Sequence, residues 1–195
     1  MASQLAPSFL VAAPSLLDPN FKRSVVLLVD HSSSASIGFV VNRPMNVSLD
    51  RMLERIGVSA RGQESDADIR NGQASVLAGG PVGPHTGWVL FERDASTPVS
   101  DDVVRVSEEV AVTASRELLE MLVARRGQQR MLLVLGYAGW GPGQLDAEIA
   151  QGAWIPVDFD SRIIFDTPHP ERWATALRSL GIDPARLSVS APSES

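Results

Sequence analysis

Residues 136–154 read GYAGWGPGQLDAEIAQGAW, with four glycines (Gly136, Gly139, Gly141 and Gly143) interleaved with Tyr137, Trp140 and Pro142. An apolar run precedes them and a short helical pattern follows. A strand, a glycine turn and a helix N-terminus together can aim backbone N–H groups and a positive dipole end at an anion. The spacing here is Gly-x-x-Gly-x-Gly-x-Gly. Dinucleotide folds use Gly-x-Gly-x-x-Gly, followed by a longer helix. Asp146 and Glu148 fall in the first turn of the helical pattern and oppose a bound anion. The stronger reading is a tight corner, with glycines at positive φ and Tyr137 and Trp140 packed over it.

The other chemistry-bearing residues are sparse. His31, His85 and His169 lack His-x-x-x-His spacing and each lies near a turn, so they read as surface or turn histidines and no metal site is expected. There is no cysteine, hence no thiolate ligand, cysteine nucleophile or disulfide. Lys22 is the only lysine and sits in Phe-Lys-Arg, which excludes a Walker-type phosphate loop. No Gly-x-Ser-x-Gly elbow is present. Arg23, beside Ser24, and Arg43 could clamp an anion, because a guanidinium fork matches a carboxylate or phosphate. An ion pair with one of the 23 acidic residues is the simpler fate for each.

These residues must be positioned by a mixed set of elements. Residues 9–12, 25–29 and 37–41 read as strands, the second apolar throughout as in a strand buried on both faces. Ser48 caps a helix carrying Leu49, Met52, Leu53 and Ile56 at i, i+3, i+4 and i+7, with Gly57 closing it. Residues 58–74 are polar and without period, a surface excursion. Strands are expected over 75–78, 86–91, 103–106, 110–112, 131–135, 154–157 and 162–165. Further helices are expected over 114–126, capped by Thr113, over a short stretch with Leu145 and Ile149, and over 170–180, burying Trp173, Leu177 and Leu180. Runs of strands with helices spaced among them favour a mixed-sheet α+β or α/β domain over a doubly wound parallel sheet.

The whole chain sets wider bounds. Its 195 residues suffice for one substantial domain, taken as 1–189 with a short tail over 190–195. It is 44% hydrophobic, and no stretch is long and apolar enough to span a bilayer, so no membrane association is expected. The N-terminus lacks a basic region before its apolar patch, so it reads as a first strand rather than a signal peptide, and a cytoplasmic location is the simplest. A net charge of −6 speaks against direct nucleic-acid binding, as does the lack of a helix-turn-helix with a basic recognition helix.

Several segments together resemble the AlgH/YqgE family of bacterial proteins. They are Phe9 to Ala12 with Pro14-Ser15-Leu16, then Asp18-Pro19-x-Phe21-x-Arg23-Ser24-Val25, His31, Gly38 and Asn42-Arg43-Pro44. Gly79-Gly80-Pro81-Val82 and Ala111-Val112-Thr113 follow. The longest is Gly136-Tyr137-Ala138-Gly139-Trp140-x-x-Gly143-Gln144-Leu145-x-x-Glu148-Ile149 with Trp154. The resemblance covers most of residues 8–165, in order. It implies a single domain with a strongly bent, barrel-like mixed sheet flanked by about four helices. Some members carry a transcription-regulator name through a link to alginate production. One departure is Phe91, which follows Val89-Leu90 where the family often has a histidine; it argues for binding over a shared histidine-dependent activity.

Three functions follow in order. The first is a domain binding a small anionic ligand at strand ends, lined by Arg23, Asn42, Arg43, Gly79, Gly80, Tyr137, Trp140 and Gln144, with no cofactor. The second is a regulatory protein acting through protein partners. The third is a hydrolase or transferase using Ser15, Ser24 or His31, ranked last because no nucleophile–base pair is legible; no catalytic residue is assigned.

Overall fold

Alternate residues along nearly every strand bury into different apolar layers. The computed structural model describes residues 5–59, 75–125 and 129–187. Residues 60–74 of the polar excursion, the expected helix end at Arg126-Gly127 and the 190–195 tail lie outside them. The strands are β1 (Ser8–Ala12), β2 (Val25–His31), β3 (Ser36–Val40), β4 (Val76–Ala78), β5 (Val82–Glu92), β6 (Val103–Arg105), β7 (Val110–Thr113), β8 (Met131–Trp140) and β9 (Trp154–Asp158). They form one sheet in the order β6-β7-β5-β8-β3-β2-β1-β9, and β4 pairs β8 in parallel while the other pairings are antiparallel. The helices are α1 (Leu49–Arg55), α2 (Arg116–Ala124), α3 (Gln144–Ala150), α4 (Ser161–Phe165), α5 (His169–Ser179) and α6 (Pro184–Leu187). This is the mixed α+β domain with a curled sheet that the sequence led us to expect.

The curl makes three apolar layers. Phe9, Val11, Val25, Leu27, Phe39, Leu90, Val112 and Val134 point inward onto Ile163, Ile164, Trp173 and Leu177 of α4 and α5. Their neighbours Leu10, Ala12, Val26, Leu28 and Val40 point outward, where α3 covers them with Leu145. On the other half of the sheet, Val89, Phe91, Ala111 and Leu133 meet α1 and α2. Both faces are therefore buried, which is why these strands read as continuous apolar runs rather than alternating ones. Each large side chain so buried contributes about 1.5–3 kcal/mol.

β8 is the hinge of the curl. Its first half pairs with β5 and β4, and its last three residues pair with β3 through Ser36↔Trp140, Ile37↔Gly139 and Gly38↔Ala138. The glycine run expected as a loop after residue 135 is therefore largely strand. The glycines allow the strand to change partners at Gly136, which has φ +73°.

Other expectations change with the packing. Residues 162–165 form α4, not a strand, because Asp160 caps them by accepting from the Arg162 N–H, and because Ile163 and Ile164 both bury toward α5. Ser115 rather than Thr113 caps α2; the Thr113 hydroxyl instead accepts from Ser115 N and donates to Asp102 O. Leu180 is 45% exposed, since it follows the last helical residue and falls off the buried stripe. His169, expected at the surface, is buried.

Candidate functional site

After β1 the chain doubles back over residues 18–24. Asp18 O accepts from both Phe21 N (2.9 Å) and Lys22 N (2.7 Å), and Ser24 N donates to Phe21 O. This winding forces Arg23 to φ +55°, the only non-glycine residue with positive φ among those described. Asn42, just past β3, locks it: Nδ2 donates to Arg23 O (2.9 Å) and Oδ1 accepts from Val25 N (2.8 Å). Arg43 wraps the same turn, donating to Pro19 O (2.9 Å) and Lys22 O (3.2 Å). The exposed Arg23 guanidinium lies 4.8 Å from the Trp173 ring centroid. Among the described residues, none of Lys22, Arg23 and Arg43 has a carboxylate within ion-pair distance. The simpler fate expected for both arginines is thus not the observed one: Arg43 is taken by backbone carbonyls and Arg23 by an aromatic face.

Gly79, Gly80 and Tyr137 adjoin this turn through β4. Ala78 N donates to Arg43 O, Val40 N to Gly79 O and Gly79 N to Leu135 O. Gly80 crosses against the Tyr137 backbone, and the Tyr137 ring stands edge-on to Trp88. Trp140 meets the turn through the Phe21 ring, which stacks on it at 6.4 Å, and with Gln144 it belongs to a group built on Glu148. One Glu148 oxygen accepts the indole N–H of Trp140 (2.9 Å) and of Trp154 (2.8 Å), and the other accepts from Gln144 Nε2 (2.8 Å). Gln144 Oε1 in turn accepts from Gly141 N. This carboxylate ties α3 to the sheet, and its hydrogen-bonding capacity is spent inside the fold. The sequence placed Glu148 only as a dipole-neutralising residue, because nothing local shows that two tryptophans 14 positions apart converge on it.

A cleft that the sequence did not suggest lies beside α4, between the end of β9 and Glu109 ahead of β7, to which Ser161 Oγ donates. Two adjoining cavities, of about 570 and 410 Å³, share Glu109, Ser161 and Arg162. Three arginines line the cleft: Arg130 pairs with Glu92 (2.5 Å) and Asp166, Arg162 pairs with Asp160 (2.7 Å), and Arg93 donates to Ser107 O and Glu108 O. Hydrogen bonding to Glu92 holds the Arg130 guanidinium well above the usual arginine value. The side-chain bond from Arg162 holds the Asp160 carboxyl below the ordinary carboxylate range. A folded pKa below the unfolded one contributes stability above the ordinary value and loses it as pH falls through the folded value. Asp160→Ala, which also removes the α4 cap, is expected to cost about 1 kcal/mol at pH 7. Asp160→Asn keeps the cap and should flatten the acid limb of stability against pH, read by urea unfolding from pH 7 to 3.

The chain matches the family described as AlgH-like (DUF179) over residues 9–185. It belongs to that family. It is 44% identical over 185 residues to a UPF0301 protein of Anaeromyxobacter dehalogenans, covering 95% of this chain and 92% of that one. It is 39% identical over 188 residues to a UPF0301 protein of Photobacterium profundum, covering 95% and 96%. Among solved structures, the AlgH protein of Pseudomonas aeruginosa superimposes with a TM-score of 0.74 at 32% identity, over 100% of this chain and 98% of that one. Protein DIP2367 of Corynebacterium diphtheriae shares the fold with a TM-score of 0.68 at 22% identity, over 96% and 92%. No described helix of this AlgH-like chain is long and apolar enough to cross a membrane.

Proposed function

We propose that this AlgH-like protein binds an anionic ligand at the turn over residues 18–24. One observation carries the reading: Lys22, Arg23 and Arg43 gather at a single turn, none of them with a carboxylate within ion-pair distance among the described residues, in a chain of net charge −6. A guanidinium lying over an aromatic face keeps its N–H edge free for a carboxylate or phosphate oxygen. The strained Arg23 backbone, held by Asn42, supports the same reading, since such strain persists where surrounding structure over-determines it and clusters at ligand sites. The cations are near solvent, so binding weakens with salt.

The test is isothermal titration with inorganic phosphate, pyrophosphate and citrate at low ionic strength. Saturable binding is expected, falling as sodium chloride is added. Arg23→Gly relieves the positive φ while removing the guanidinium. It is expected to lower affinity on the order of 10–100-fold, the worth of one or two charged hydrogen bonds, with little change in melting temperature. Equal binding by the variant, or no heat from any probe, overturns the reading and favours a role exercised through protein partners.

A further inference from the structure

A second constellation, independent of the basic turn, sits at the far end of the β2–β3 hairpin. The hairpin carries a bulge between Leu28 and Asp30, which shifts the register by one. Without that extra residue Asp30 would face Ser36; with it, His31 does. His31 Nδ1 lies 2.8 Å from Ser36 Oγ. On the opposite side of the ring, His31 Nε2 lies 3.4 Å from Asp146 Oδ1 of α3. The ionised Asp146 carboxylate can only accept, so it selects the neutral tautomer with its proton on Nε2. Nδ1 is then a lone-pair acceptor, and the Ser36 hydroxyl donates to it. Serine and base are thus hydrogen-bonded, and the carboxylate stands within ion-pair reach of the ring's other nitrogen; this is the order of groups that activates a hydroxyl nucleophile, with the two ring nitrogens exchanged relative to the usual serine-hydrolase order. Ser36 is buried, flanked across the strand by Trp140, and the His31 side chain is 19% exposed beside it.

We propose that Ser36 is a nucleophile for acyl transfer from small activated esters to water, with His31 as its general base and Asp146 as a positioning residue. Ser36 Oγ forms a bond to the ester carbonyl carbon as its proton passes to His31 Nδ1. The ester C–O bond then breaks, and the alkoxide leaves with that proton. Water, deprotonated by the same nitrogen, attacks the acyl-serine, and the acid departs as Oγ regains its proton. No oxidant, metal or cofactor enters the balance.

The first probe is a fluorophosphonate, read by intact mass and peptide mapping of the full chain. Oγ bonds to phosphorus, the P–F bond breaks, and fluoride leaves with the proton taken by His31. The expected result is one adduct on the peptide carrying Ser36, absent in Ser36→Ala. Labelling in His31→Gln should be slower by about 100-fold or more, the usual share of a general base. Asp146→Ala should slow labelling at unchanged melting temperature, and Asp146→Glu should restore part of the rate, which a merely structural contact does not predict. Turnover of p-nitrophenyl acetate should follow the same order across the variants. Absence of an adduct on Ser36 overturns the proposal, as does an adduct that forms equally fast in folded His31→Gln. Since no variant touches residues 18–24, failure here leaves the anion-binding reading standing, and the reverse holds.

Discussion

Arg172→Met is expected to lower the unfolding free energy by roughly 5 kcal/mol, measured as a shift of the urea midpoint at pH 7. Arg172 lies on α5 and is only 3% exposed. It has no ion-pair partner among the described residues. Its guanidinium donates instead to three backbone carbonyls: Thr167 O (2.8 Å), Val41 O and Ile164 O. Burial pushes the Arg172 pKa down from the usual arginine value, while three acceptors aimed at the N–H groups favour the charged form and hold the proton. Methionine fills much of the same volume, so the loss reports orphaned carbonyls rather than a cavity. Three orphans at about 1–3 kcal/mol each set the scale. Arg172→Lys keeps the charge but cannot span all three oxygens, and should fall between the two. A methionine variant as stable as the parent would mean that those carbonyls find other partners. The Val41 bond also links this residue to the candidate site, since the next two residues, Asn42 and Arg43, frame the basic turn.

The elements most legible in the sequence are those whose local signals agree with their packing. Ser48 is the α1 cap, accepting from Arg51 N, and Leu49 and Leu53 are its buried face. The apolar runs of β1, β2 and β8 became strands buried on both sides. The failures have a common cause in tertiary contacts. Arg162-Ile163-Ile164-Phe165 has strand-like composition, yet the Asp160 cap and the pull of α5 on two successive isoleucines make it helical. In the candidate site, Arg23, Asn42 and Arg43 were picked out by residue type alone, and Asn42 and Arg43 pack against the turn that carries Arg23. What joins them is four side-chain-to-backbone links spanning 17 to 24 residues, which no local pattern encodes. The roles of Glu148 and Ser36 stayed hidden for the same reason: each has meaning only once a strand, a bulge or a helix brings its partners across. The Arg130 network likewise joins residues 36 and 38 positions apart.

Gly80→Ala is expected to destabilise the fold on the order of 4 kcal/mol, combining a steric clash with a backbone region that only glycine enters freely. Gly80 has φ +149°, and a Cβ there would lie 2.3 Å from both the carbonyl carbon and oxygen of Tyr137. Those are backbone atoms inside a paired strand, so they cannot swing aside as a side-chain tip could. Across the crossing, a Cβ on Gly136 would meet Gly80 O at 2.6 Å. The two chains therefore pass at glycine-to-glycine distance at the point where β8 changes partners, and the curl of the sheet depends on that approach. Gly143→Ala is the control. It also has positive φ, +68°, but a Cβ there meets nothing within 4 Å, so it bears only the conformational cost of about 1 kcal/mol. Melting curves of the two variants separate the roles within the glycine-rich segments: a large gap places the requirement at the crossing, in the architecture. Equal, small losses would mean that the crossing has room to relax, and the density of glycine in these segments would then need a ligand to explain it.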